Sequence, residues 1–98
     1  MLKSKLTNIS MVFHALGNET RLLIIHYLIN QNEDNIRVGK IKDALGIPSS
    51  TLSHHLIVLS QTGVLKQHKK GREIYCSVNQ KCLRDAIMVF DKECCLNL

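Results

Sequence analysis

The side chains of this chain with chemistry beyond packing fall into three groups. Two adjacent thiols, Cys94 and Cys95, lie in the closing segment "FDKECCLNL", and Cys82 and Cys76 precede them. A thiolate is a soft donor and a nucleophile, so a thiol pair here can hold a thiophilic ion, exchange with a disulfide, or fill space at a chain end. The second group is Ser49, Ser50, Ser53 and His54 within "GIPSSTLSHHLIVLSQTG", which offers donors and acceptors without formal charge. The third is "KQHKKGR", where Lys66, Lys69, Lys70 and Arg72 supply four of the thirteen Lys and Arg with no acid among them. Local positive charge on an otherwise balanced chain suits a polyanion.

Size and composition limit what these groups can serve. The 98 residues make a single domain, 1–98, and 45% apolar with 21% charged residues is a globular composition. The core of so short a chain is small, which leaves room for further burial by oligomerisation. The longest apolar runs, Leu22-Leu23-Ile24-Ile25 and Leu56-Ile57-Val58-Leu59, are too short to span a bilayer, so no membrane partner is expected. "MLKSKLTNIS" carries cations but no apolar signal core, so a cytoplasmic location with reduced thiols is expected. The cysteines then read as ligands, reactive groups or buried filler rather than a disulfide framework. The five histidines form no ligand set, and His14 and His26 fall in structural helices. With no Cys-x-x-Cys, no βαβ pattern and no base near the pair, a thiol-exchange enzyme is disfavoured, and no enzyme is expected.

The elements that must position these groups follow from periodicity. Leu6, Ile9, Phe13 and Leu16 predict an amphipathic helix over about 3–16. "GNET" breaks it, with Asn18 as N-cap, and a helix over about 19–30, apolar on most sides, becomes the central one. "NQNEDN" reads as a loop, and a short helix over 38–45 stops at Gly46. Pro48 then opens a helix whose Leu52, Leu56 and Leu59 make one apolar stripe opposite Ser49, Ser50, Ser53 and His54. Ordinary surface helices carry Lys and Glu on the wet side; this one has no charge from Ser49 to Gln61. Helix, Gly-containing turn and a helix of this kind form the helix-turn-helix pattern, and small polar side chains can approach base edges closely. Strands over about 64–68 and 73–78, joined by "KKGR", predict a hairpin wing whose Lys69, Lys70 and Arg72 neutralise phosphates. The last helix, about 80–95, carries Leu83, Ile87, Phe90 and Cys94 in one stripe, with Met88 and Val89 as a second apolar side. The fold class is mainly α, a winged helix-turn-helix of about five helices plus the hairpin, and its partner is double-stranded DNA.

At this level the chain resembles the ArsR/SmtB family of arsenic- and metal-responsive winged-helix repressors, along nearly its whole length. "HALGNETRLLIIHYL" is similar to the family's Ala-Leu-Ala-Asp-Pro-Thr-Arg-Leu entry to its second helix. "LGIPSSTLSHHLIVLSQTGVL" matches its recognition helix, and "KKGREIYCSV" its wing and Tyr-containing last strand. The resemblance implies a homodimer built from the first and last helices. It implies an imperfect palindromic operator, released by an inducer, with no cofactor needed for DNA binding, and groove contacts at Ser49, Ser50, Ser53 and His54. The chain departs from many relatives at Ile57, where they carry a lysine.

The family's inducer sites lie at several positions. Its Cys-x-Cys site at the third helix is absent, because "NIRVGKIKDAL" holds no cysteine. Its last-helix zinc site would map to Gln80, Cys82, Glu93 and Leu96, of which Gln80 and Leu96 are unfit. One subgroup binds trivalent arsenic through a Cys-Cys pair ending the last helix, and Cys94-Cys95 match it, so the resemblance implies As(III) or Sb(III) as inducer. That subgroup's third thiol comes from a tail cysteine this chain lacks beyond the pair. Cys82 is the substitute, reaching the pair only from an antiparallel partner helix. Cys76 is expected to pack. A persulfide- or redox-sensing repressor of the same fold, or a winged helix used for protein contacts alone, are the competing readings.

Overall fold

The computed structural model describes residues 1–95. Its elements run α1 (Leu2–Leu16), α2 (Glu19–Ile29), β1 (Ile36–Arg37), α3 (Val38–Leu45), α4 (Ser49–Gln61), β2 (Leu65–Lys70), β3 (Glu73–Val78) and α5 (Gln80–Cys94). Local chemistry sets the boundaries. The Asn18 side chain accepts from the Arg21 backbone N–H at 3.1 Å and caps α2, with Glu19 in the favourable first turn. Gly46 ends α3 in the left-handed region, at φ 64°, which a side chain would resist. Pro48 stands one position before α4, where its missing N–H interrupts nothing. Asn79 caps α5 by accepting from the Cys82 N–H at 3.2 Å.

The helices and sheet close on one core. Ile24 of α2, Ile41 of α3, and Leu52, Leu56 and Leu59 of α4 are fully buried together with Ile36, Val64 and Cys76. α2 touches α1, α3, α4 and β3, as a central helix must. Between α3 and α4 the buried Ile47 pins the tight turn to the core, which fixes how α4 is presented.

The sheet departs from expectation in two ways. β1, two residues given no element between the predicted loop and helix, adds a third antiparallel strand in the order β1-β3-β2, pairing Ile36 with Cys76 and Arg37 with Tyr75. Two residues carry no alternation signal; the strand exists because Ile36 must be buried beside Cys76. The hairpin also runs longer than predicted. Lys69 and Lys70 belong to β2, opposite Ile74 and Glu73, and only Gly71 and Arg72 form the turn. A two-residue turn with Gly71 at φ 66° matches the strands' twist, and Glu73 opposite Lys70 relieves charge at the tip.

α5 divides its apolar stripe between core and solvent. Leu83 packs against the core, whereas Ile87 and Cys94 are exposed and Phe90 is 41% exposed. The side turned to α1 is instead Cys82, Ala86 and Val89, which line a groove with Ile9 and Val12. The small Ala86, 4% exposed, lets the two helices approach closely. Phe13 meets Phe90 edge to face at 5.4 Å, and Lys5 Nζ lies 3.9 Å from Glu93 Oε1.

Candidate nucleic-acid interface and thiol site

α4 sorts its residues by face. Leu52, His55, Leu56 and Leu59 are buried, whereas Ser49, Ser50, Ser53 and His54 are all exposed. The outward surface is therefore hydroxyls and one imidazole, as the sequence predicts. Among the described residues no side chain caps the start of α4, so its first amides keep their hydrogen-bonding capacity and the positive end of the helix dipole. Ile57, also exposed, is the apolar exception.

The wing brings its cations to the tip on two faces. Strand alternation sets Lys66, His68 and Lys70 on one side with Arg37, Glu73, Tyr75 and Ser77. Gln67 and Lys69 share the other with Ile36, Ile74 and Cys76. Lys69 and Lys70 thus project to opposite faces, flanking Arg72 in the turn, and all three are exposed. The outer row holds residues that the sequence did not single out. The His68 ring stacks on Tyr75 at 5.8 Å and 15°, and Arg37, paired with Tyr75, lies 3.9 Å from Glu73 Oε2 through Nη1. Arg37 was missed because its strand was missed.

Beneath α4 lies a polar contact with no obvious signal in the sequence. Arg21 of α2 is buried, 9% exposed, and so is His55. The guanidinium donates through Nε to the Ala15 carbonyl and through Nη2 to the His14 carbonyl at 3.4 Å, both in the last turn of α1. Its Nη1 lies 3.2 Å from His55 Nδ1. Burial, then the Arg21 charge, then His54 hold the His55 pKa below its ordinary 6.5.

The thiols are separated by environment. Cys94, at the last turn of α5, is exposed, and Cys95 beside it is half-buried with its N–H donating to the Asp91 carbonyl at 3.1 Å. Cys82 is half-buried, its Sγ directed to the Thr62 carbonyl of its own protomer at 4.0 Å. Burial, helped by Asp85, pushes the Cys82 thiol up, which disfavours the thiolate a ligand must become. Twelve residues of helix, about 18 Å, separate it from Cys94, so one protomer does not bring them together. Cys76 is fully buried, with Gln67 Nε2 donating to its sulfur at 3.8 Å; burial raises this thiol too, against the Gln67 contact.

Comparison with known proteins decides the family. The model of the bacterial regulatory protein, arsR family, matches residues 18–67, from the cap of α2 into β2. The chain is 36% identical over 76 residues to the transcriptional repressor SdpR of Bacillus subtilis, covering 78% of this chain and 81% of that protein. The chain belongs to the arsR family of bacterial regulatory proteins. It is also 38% identical to the cadmium resistance transcriptional regulatory protein CadC of Listeria innocua, over 74% of this chain and 64% of CadC. Among solved structures, the homodimeric winged helix-turn-helix DNA-binding domain Mb0332 of Mycobacterium bovis superposes with a TM-score of 0.74 at 25% identity. That match covers 89% of this chain and 79% of the other. Winged helix-turn-helix is therefore the fold of this arsR-family chain.

The family match ends before all four cysteines. Of the arsR-family zinc positions, Gln80 is exposed, Cys82 faces Thr62, Glu93 pairs with Lys5, and Leu96 lies outside the described residues. Among the described residues, no three His, Cys, Asp or Glu side chains of one protomer gather to hold a metal ion. No helix among them is long and apolar enough to cross a membrane.

Proposed function

We propose that this arsR-family chain is a homodimeric transcriptional repressor of the cytoplasm that reads an imperfect palindromic operator. In this reading Ser49, Ser50, Ser53 and His54 meet base edges in the major groove, and Lys69, Lys70 and Arg72 neutralise phosphates beside it. The observation that carries it is the outward face of α4: four exposed polar side chains without a charge, next to an exposed basic wing. The free amides at the start of α4 add phosphate donors. Dimerisation through α1 and α5 accounts for the apolar side chains these helices leave in water, Leu2, Met11, Ile87 and Met88. Mb0332, which matches most of this chain, is a homodimer.

The inducer of this reading is a thiophilic ion, As(III) or Sb(III), captured by Cys94 and Cys95. An exposed and a half-buried thiol on adjacent residues at a helix end can turn to one soft ion, which thiolates prefer. The similarity to CadC, a cadmium resistance regulator, supports a metal-responsive role. Glu93, next to the pair, is tied to Lys5 of α1, so loading the pair acts on the α1–α5 contact. Cys82 is the third ligand only if a partner helix brings it alongside, and its seat against Thr62 must then open. The test is titration of the reduced, operator-bound protein with arsenite, antimonite, cadmium, zinc and polysulfide. Release by arsenite or antimonite at stoichiometric amounts supports the reading. Release by polysulfide alone, after strict metal removal, replaces it with a persulfide sensor.

A further inference from the structure

Among the described residues, Arg21 and His55 are the two buried polar side chains, and they meet. A buried guanidinium is costly unless its donors are satisfied, and no carboxylate neutralises this one. Its acceptors are two carbonyls at the C-terminal end of α1 and a ring nitrogen of the recognition helix. The negative end of the α1 dipole offsets part of the charge. The planar guanidinium has its geometry fixed by three groups from two other helices, so α1 and α4 cannot shift independently without stranding a buried donor.

We propose that Arg21 is a positioning residue for DNA reading: through a neutral His55 it locks α4 to the end of α1. The inference rests on the reading of α4 as the groove helix. His55 sits next to His54 of the exposed face, the rings 5.8 Å apart, so a displaced His55 displaces the groove-reading side chains. α1 in turn packs on α5, whose end carries Cys94 and Cys95, so a movement begun there reaches α4 through this contact. The link needs Nδ1 of His55 as an acceptor, which puts the ring proton on Nε2. Protonating Nδ1 turns the acceptor into a donor aimed at a cation. The charges acting on His55 are Arg21 from α2 and His54 on its own helix; α1 presents the two carbonyls to the link, and no charged group of β2 acts on the ring.

The sign follows from the lowered pKa. Above about pH 6.5 the ring is neutral folded or unfolded, and the stabilisation is complete. It is lost as pH falls through the folded value.

The experiment follows operator and random-DNA affinity by fluorescence anisotropy between about pH 8 and about pH 5.5 at fixed ionic strength, for wild type, Arg21→Lys and His55→Asn. The Asn amide oxygen can take the place of Nδ1 and does not titrate in this range. Nitrogen-15 NMR of the free dimer reads the His55 tautomer without any DNA. The expected results are an Nε2–H tautomer and a wild-type operator-over-random ratio that drops about tenfold on acidification, or about 1.4 kcal/mol. His55→Asn holds its ratio over the range, and Arg21→Lys begins with a low ratio at the alkaline end while its circular dichroism is unchanged. An Nδ1–H tautomer, a wild-type ratio that stays level or rises, or an Arg21→Lys ratio equal to wild type overturns the proposal. Absence of operator binding even at alkaline pH would instead defeat the DNA reading, with the tautomer still deciding the link.

Discussion

Removing a cation from the hairpin tip has a calculable effect on DNA binding. Lys69, Lys70 and Arg72 are exposed, and among the described residues none makes a side-chain hydrogen bond or ion pair. Their replacement should therefore change stability by no more than about 0.5 kcal/mol. Each phosphate contact contributes about 0.9 to the slope of log affinity against log salt. A dimer carries two wings, so Lys70→Ala or Arg72→Ala removes two contacts and flattens the slope by about 1.8. Between about 50 and about 200 mM salt, that makes the variant's loss of affinity about 12-fold smaller than wild type's. The assay is anisotropy on operator and random duplexes at four or more salt concentrations, with circular dichroism as the control for folding. Weakening should be alike on both DNAs, because phosphates carry no sequence. Weaker binding with an unchanged slope would refute the phosphate role and point to a distorted hairpin.

Other consequences are as direct. Ser53→Ala and His54→Ala should reduce discrimination between operator and random DNA, by about 1–3 kcal/mol per lost base contact; equal losses on both duplexes would mean that another face reads the groove. Ile87→Glu and Met88→Glu, at exposed apolar positions of α5, should leave helix content intact and shift sedimentation from dimer toward monomer; an unshifted dimer would remove α5 from the interface. Cys94→Ser or Cys95→Ser should keep operator affinity and abolish arsenite-driven release, since a ligand shifts the DNA equilibrium only through its own differential affinity. Release that survives in the double variant would make the pair filler. Cys82→Ser leaves a two-thiol response intact and destroys a three-thiol one, and Cys76→Ser should lower the melting temperature without touching the response.

The sequence made legible whatever depends on local repetition. The 3.6-residue period of α1 and α4, the Asn18 cap, the Gly46 stop and the basic hairpin all appear where residue types required them. The exposed polar face of α4 was readable for the same reason: apolar stripe and hydroxyl face are complementary halves of one period. What was not legible depends on contacts between distant segments. β1 is two residues long and exists through Cys76, forty positions later. The side of α5 that meets α1 carried no distinct signal, because Leu83, Ile87 and Phe90 outweigh Ala86 in apolarity while close approach to α1 favours the small residue. His55 and Arg21, thirty-four positions apart, meet only once three helices have packed. Cys82 illustrates the limit at the thiol site: spacing alone gave its distance from the pair, and the fold turns its sulfur to Thr62.

The measurement that bears most directly on a dimeric repressor with α4 in the groove is a footprint of the reduced protein on the DNA upstream of its own gene. Two recognition helices entering successive major grooves predict protection of an imperfect palindrome with half-site centres about 10 bp apart, occupied by one dimer. A single asymmetric site bound by a monomer, or no protected site, would contradict it.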